Sequence, residues 1–378
     1  MPPTLDAPNP PDDDDLDRVR PPQPVHYAEQ ALLGALLLEP QRLADTGTLD
    51  ADHFDNHNHA SLFTAIRTLP PPDPDDHAKD TAWLNQVLEH ARLQAPGLNA
   101  SHLHALIQFC PQPKHAAAYT HMIRADHARR LLRCHAERLA LIATEAAGPD
   151  PAADALSQAD ALGRVLDDLA GQFTPHPGSL PRTPLPADVV RHAAEEDLDE
   201  ERFLLATATA SPRDVQQMKW LMAEDFILPL HAALWQCVTA LVHRGGMVDP
   251  VTVLGEAQHH GLITDAVTPR DLMTLVSIPA GTPEYWGEKI LQRALLARAR
   301  AVAERITAYT DDPANTPHQL ITGSRRVLAD LSALRTRWNR ATAPAAAPTT
   351  RPSGRAAPLP RAASPPDRPT VTAVRAHR

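Results

Sequence analysis

Cysteine is scarce, and what there is has no pattern. Cys110, Cys134 and Cys237 are the only three, too scattered for a disulfide framework or a CxxC metal pair. They predict reduced, buried thiols in a cytosolic, cytoplasmic protein. No apolar run approaches the roughly 18 residues of a membrane span. The opening "MPPTLDAPNPPDDDD" lacks the apolar stretch of a signal peptide, so the chain is expected to be soluble, with no membrane contact. Lysine is rare as well: Lys79, Lys114, Lys219 and Lys289 are all there are, and none follows a glycine. A phosphate-binding loop needs a glycine-rich turn ending in Gly-Lys-Ser/Thr, because backbone amides and the lysine hold the phosphates. No stretch alternates apolar and polar residues long enough for a sheet, and β-branched residues are few beside Ala and Leu, which favours helix.

What is present is a long internal repeat. Residues 29–69 reappear at 201–241 with a constant offset of 172, pairing Glu29 with Glu201, Leu32-Leu33 with Leu204-Leu205, Pro40 with Pro212, Leu49 with Leu221 and Phe54 with Phe226. "HASLFTAI" from His59 pairs with "HAALWQCV" from His231. After a slip to an offset of 169, Asp80 pairs with Asp249, Leu103 with Leu272 and Leu106-Ile107 with Leu275-Val276. The shared positions are mostly apolar, so a packing pattern was duplicated. Solenoid repeats run at roughly 20–50 residues, and a period this long marks two tandem domains.

Charge follows the same division. Residues 1–24 carry six Asp, two Arg and eight Pro, while 339–378 carry seven Arg, one Asp and eight Pro. Both ends are too poor in apolar residues to offset their ordering entropy and are expected to be disordered. Residues 25–172 sum to −8 and residues 198–338 to −2. Neither has the basic balance usual for a duplex-binding domain. The basic tail reads either as a solvated extension or as a weak, salt-sensitive DNA contact.

Each domain reads as a small helical head followed by a long helical hairpin. "EQALLGALLLEP" places Leu32, Leu33, Leu36 and Leu37 at helical spacing and stops at Pro40. Leu62, Phe63, Ile66 and Leu69 form a second stripe, copied as Leu234, Trp235, Val238 and Leu241. Residues 118–146 then run without Pro or Gly, and a "GPDP" break precedes a second helix at 152–170. The copy has helices at 284–310 and 318–338 around "DDPANTP". The Pro-rich stretch 173–197 is expected to be an extended linker. The expected fold is thus all-α: two tandem helical domains, 25–172 and 198–338, each a head plus an antiparallel hairpin. A hairpin leaves apolar edges uncovered, and a second hairpin can cover them.

This succession resembles the N-terminal domain of the DnaB-type replicative DNA helicases. The carriers are Glu29-Gln30, Leu33-Gly34-Ala35, Phe54, His59, Leu62-Phe63, Ile66, Tyr119, Ile123 and Arg129-Arg130-Leu131. The second copy is more diverged, with Arg202, Ala206 and Trp235 where the first has glutamine, glycine and phenylalanine. The resemblance implies an all-helical domain without catalytic function of its own, whose hairpins pair to build a collar and whose surface docks primase and loader proteins. It also implies an ATPase motor C-terminal to this domain. The residues after 338 are too few for one, so this chain is expected not to unwind DNA or hydrolyse ATP, and no cofactor is expected. Helices 118–146 and 284–310 are expected to pair within one chain, burying Leu131, Leu132, Leu139, Leu295, Leu296 and Val302.

Rival chemistries remain open. His53 and His57 stand at i, i+4, with His59, Asp52 and Asp55 nearby, so one helical face could hold zinc; the second copy keeps only His231, against His59. For these two histidines a bond to a backbone carbonyl is the expected role, and for Asp80 and Asp249 a helix N-cap. Three functions follow. One is a replication interaction module that binds helicase, primase or loader. Another is a nucleic-acid binder using Arg129, Arg130, Arg133, Arg293, Arg298, Arg300, Arg305 and the tail. The third is an enzyme, metal-dependent or otherwise.

Overall fold

Proline opens most of the helices. Its fixed φ suits the first helical turn, where no amide partner is lost. In the computed structural model, which describes residues 23–145, 148–176, 178, 180–184 and 194–343, every regular element among those residues is helical. The extensions over 1–22 and 344–378 and the linker core 185–193 lie outside the described residues.

Head 1 comprises α1 (Pro24–Leu38), α2 (His57–Thr68), the short α3 (Pro74–His77), α4 (Ala82–Arg92) and α5 (Ala100–Phe109). Helix α1 is buried on nearly all sides, with Leu32, Leu33, Leu36 and Leu37 fully enclosed, and runs through the middle of the head. Asn56 caps α2 by accepting from the amides of Asn58 and His59. Gly34 sits where α1 meets α5. A Cβ there would lie 2.2 Å from the Leu106 carbonyl oxygen, so only glycine permits this approach. Hairpin 1 follows as α6 (Ala116–Glu145) and α7 (Pro151–Ala170).

Head 2 repeats the plan with α8 (Glu195–Ala210), α9 (Pro212–Val215), α10 (Pro229–His243), α11 (Pro250–His259) and α12 (Pro269–Leu275). Asp249 caps α11 through the amides of Val251 and Thr252, whereas Asp80 reaches only the amide of Ala82 beside Thr81. Hairpin 2 is α13 (Pro283–Asp311), α14 (Pro317–Ala329) and α15 (Leu331–Ala341). The single closing helix expected over 318–338 is broken at Asp330. The break lets α15 carry Arg337 and Trp338 into the apolar core that includes head 2.

The long helices align with a third register. Buried Ala116, Thr120, Ile123, Ala128, Leu132, Ala136, Leu139 and Ala143 of α6 fall, at an offset of 167, on buried Pro283, Gly287, Ile290, Leu295, Ala299, Ala303, Ile306 and Thr310 of α13. Helix α13 also buries Leu291, Ala294, Val302 and Tyr309, whose counterparts Arg124, His127, His135 and Ile142 are only partly covered. Two apolar cores result. One lies within head 1, from Val25 to Ile123. The other joins both hairpins to head 2, from Ala128 to Trp338.

The first half of the expected linker is not free. Phe173 is buried in the joint core, and Pro181 stacks on Gly323, where a Cβ would meet its ring at 2.4 Å. The amide of Gln319 donates to the carbonyls of Gly178 and Leu180, and Thr183 donates to Asp312 while accepting from Asn315. Gly178, Leu180, Pro181 and Thr183 therefore strap the corner between α13 and α14. The thiols differ from expectation too: Cys237 is buried, Cys110 half-buried and Cys134 exposed.

Candidate functional site

Where α6 crosses α13 the two hairpins meet, and α7 packs on α14 beside them. Small residues at Ala128, Ala136, Ala299 and Ala303 let the long helices approach, while Leu132, Leu139, Leu295 and Val302 are fully buried in the joint core. Leu296 packs partly against it. Leu131 is only half-buried, since it sits beside the 128–132–136–139 stripe rather than on it.

Polar contacts frame this apolar seam. Arg129, half-buried on α6, donates to the carbonyls of Thr310, Asp312 and Asn315 at 2.8, 2.8 and 2.7 Å. Those oxygens belong to the last turn of α13 and the loop beyond, where carbonyls lack helical partners and the macrodipole favours a cation. Arg133 pairs with Asp311 in the same place. On the outer helices Arg335 reaches Asp160 at 2.7 Å and the Leu156 carbonyl at 3.1 Å, and Arg325 pairs with Asp167.

Each head carries a buried carboxylate–imidazole pair. Nδ1 of His59 donates to Glu29 at 2.7 Å, and Nδ1 of His231 to Glu201 at 2.8 Å. Both glutamates are fully buried and also accept from a backbone amide, Asp55 at 2.5 Å and Ile227 at 2.7 Å. The expected backbone carbonyl partner is therefore replaced by a glutamate. The signal was in the sequence: two polar residues stand 30 apart in both copies, amid apolar matches. Sealed from solvent, each pair clamps α1 to the loop before α2, or α8 to the loop before α10, and presents nothing to a substrate. Head 2 adds Arg293 of α13, which donates to Glu201 at 2.7 Å, to Glu200 at 3.1 Å and to the Asp197 carbonyl. Burial raises the Glu200 carboxyl above its ordinary range, against the pull of Arg293. At the matching position of α6 stands Asp126.

The histidine group of head 1 is dispersed by local structure. His53 closes a 3-10 turn, Ala51–His53, whereas His57 starts α2, so no single helical face carries both. Nδ1 of His53 accepts from the Asp50 amide, and its ring stands edge-on to His127 at 4.4 Å. His57 faces the Gln94 carbonyl. Among the described residues no group of three or more His, Cys, Asp or Glu is placed to hold a metal. The helix arginines are likewise engaged, except Arg298, which stands exposed on α13. Arg130 binds Asp126 and the His53 carbonyl, Arg300 binds Glu304, and Arg305 faces Asp330. Arg337 ties α15 to Asp225 and the Trp220 carbonyl. Burial pushes the Asp225 carboxyl up, with Arg337 opposing.

The DnaB-like helicase N-terminal domain family matches this chain twice, at residues 20–125 and 193–288, together a little over half its length. The chain belongs to that family. Both matches begin at a head and run into its long helix, so the DnaB-type unit here is a head with the start of its hairpin. A curated relative, the replicative DNA helicase DnaB of Mycobacterium leprae (strain TN), is 27% identical over 147 residues. Those residues are 38% of this chain and 23% of the relative, so the chain spans less than a quarter of that protein's length. No solved structure matches. Among the described residues no helix is long and apolar enough to cross a membrane.

Proposed function

We propose that this protein is a non-catalytic interaction module of DNA replication. It is a pair of helicase-collar-type domains that docks a replicative helicase, a primase or a helicase loader. The observation that carries the reading is the duplicated family match, in which both modules are DnaB-type N-terminal domains and neither match includes a motor. The paired hairpins support it. The apolar faces that would otherwise need a partner helix cover each other through Leu132, Leu139, Leu295 and Val302, so the chain supplies a ready-made collar unit.

The test is affinity capture of the full chain from its host, read by mass spectrometry, followed by titration against the purified helicase, primase or loader it recovers. Recovery of one of these at stoichiometric level is the expected result. Recovery of none of them, under conditions where the bait is folded, overturns the reading. Purified protein is also expected to show no ATP hydrolysis and no strand displacement above background. The nucleic-acid reading now rests mainly on the Arg-rich tail, because the α6 and α13 arginines considered for it, apart from the exposed Arg298, are held by carboxylates and carbonyls. Retention on DNA that survives deletion of residues 344–378 would revive it for the helices.

A further inference from the structure

The polar frame around the hairpin seam runs in one direction only. With the long helices aligned by their buried positions, Arg129 of α6 corresponds to Leu296 of α13, and Asp311 corresponds to Thr144. With the closing helices aligned by their first prolines, Pro151 and Pro317, Arg325 corresponds to Ala159, Arg335 to Leu169, Asp160 to Arg326 and Asp167 to Ala333. Hairpin 1 thus sends two arginines to the end of α13, and hairpin 2 sends two others back to aspartates of α7. None of the four contacts has a mirror image across the seam.

We infer that the two hairpins have diverged into a directional code, so that hairpin 1 accepts hairpin 2 as its partner and neither accepts its own kind. Hairpin 1 against hairpin 1 would leave Asp160 and Asp167 facing Leu169 and Ala159, and Arg133 facing the uncharged Thr144. Hairpin 2 against hairpin 2 would set Arg335 against Arg326 and leave the end of α13 facing Leu296. In that pairing Arg300, the counterpart of Arg133, could still reach Asp311. Most of the apolar stripe is common to all three pairings; Val302, whose counterpart on α6 is His135, is its one seam position that differs in polarity. The charges choose, because unpaired and like-charge contacts weigh against the wrong partner. The fitting partner for either hairpin is therefore the other half of this chain rather than the same half of a second copy. The inference rests on reading the seam as a collar-type hairpin pairing, but not on which replication protein the module docks.

The test uses the full chain with a protease site placed in 185–193. Tagged and untagged copies are expressed together, purified and cleaved, and the tagged N-terminal half is captured. The expected eluate contains the C-terminal half and no untagged N-terminal half. Untagged N-terminal half at a comparable level, or loss of the C-terminal half on cleavage, overturns the inference. In a second arm, Asp160→Arg with Asp167→Arg is expected to lower retention of the C-terminal half about ten-fold. Adding Arg335→Asp and Arg325→Asp is expected to restore it. Failure of that restoration overturns the charge code even where the halves stay together. Whether any helicase, primase or loader is captured from the host does not alter these readouts.

Discussion

The two modules share a succession of helices and close their cores in different ways. Head 1 encloses its own apolar core, and its long helix departs from it at Ile123. Head 2 has no such boundary: Leu204, Trp235, Ile306 and Trp338 belong to one core with Leu132 and Leu166 of the first hairpin. Helix α13 accordingly buries a broader face than α6. The clamps differ in step. The Glu201–His231 pair is locked to α13 by Arg293, while the Glu29–His59 pair has Asp126 at the corresponding place. Duplication supplied two similar heads, and one became the foundation of the hairpin bundle while the other kept an apolar core of its own.

The largest expected difference between them lies in the buried glutamates. Glu201→Ala strands His231 and the Ile227 amide and takes from Arg293 its shortest acceptor, leaving it Glu200 and Asp197, a loss of about 3–5 kcal/mol. Glu29→Ala strands His59 and one backbone amide and should cost about 1–3 kcal/mol. Urea unfolding of both variants ranks them, and a greater loss from Glu29→Ala would break the contrast. Next comes Gly34→Ala, which forces α1 away from the Leu106 carbonyl and should cost about 1–3 kcal/mol by overpacking. Ala206 occupies that place in head 2 and tolerates a side chain. Hydrogen exchange should show the loss in head 1 alone, and equal loss of protection in head 2 would contradict separate cores.

A smaller effect comes from pH. Burial, with help from His53 and Arg130, pushes His127 from an ordinary 6.5 to about 4, and burial lowers His53 as well. Both are neutral in the fold, so their contribution is complete above about pH 6.5 and is lost as pH falls through 6.5 toward 4. The site is only half-buried and solvent screens it, so the expected loss is about 1–2 kcal/mol. Thermal melts of His127→Gln should be flatter over that window, and an unchanged slope would remove these imidazoles as the cause. Smallest are the caps. Asp249→Ala should cost about 1 kcal/mol and Asp80→Ala a few tenths, because Asp249 accepts from two amides and Asp80 from one. Equal shifts in chemical denaturation would break the contrast between the two caps.

Much of this was legible in the residues. The apolar stripes at Leu32–Leu37 and Leu62–Ile66, the Pro40 stop and the Pro-free runs carry helix and boundary directly, because periodicity and proline geometry are local. The 172 offset carried the second head. The shift to 167 along the long helices was obscured, since Tyr119 and Tyr285 suggest a different match and only burial reveals that Trp286 takes the place of Tyr119. The Glu–His clamps were visible as a spacing repeated in both copies, but not as partners, because nothing local brings residues 30 apart together. Arg129 read as a surface cation; its role depends on where α13 ends, which only tertiary packing decides. The strap formed by Gly178, Leu180, Pro181 and Thr183 was read as extended linker because proline argues against helix and is silent about docking.

The joint core also imposes a timetable on synthesis. Residues 25–123 carry the whole apolar core of head 1 as they leave the ribosome. The α6–α7 hairpin does not, since Leu132, Leu139 and Leu162 gain their cover from helices that end near residue 341. At about 5–20 residues per second the intervening stretch takes on the order of 10–40 s to emerge. Through that interval a finished head trails an uncovered apolar hairpin, and this is the stage of the protein's life when a chaperone, or the hairpin of a neighbouring nascent chain, has its opening.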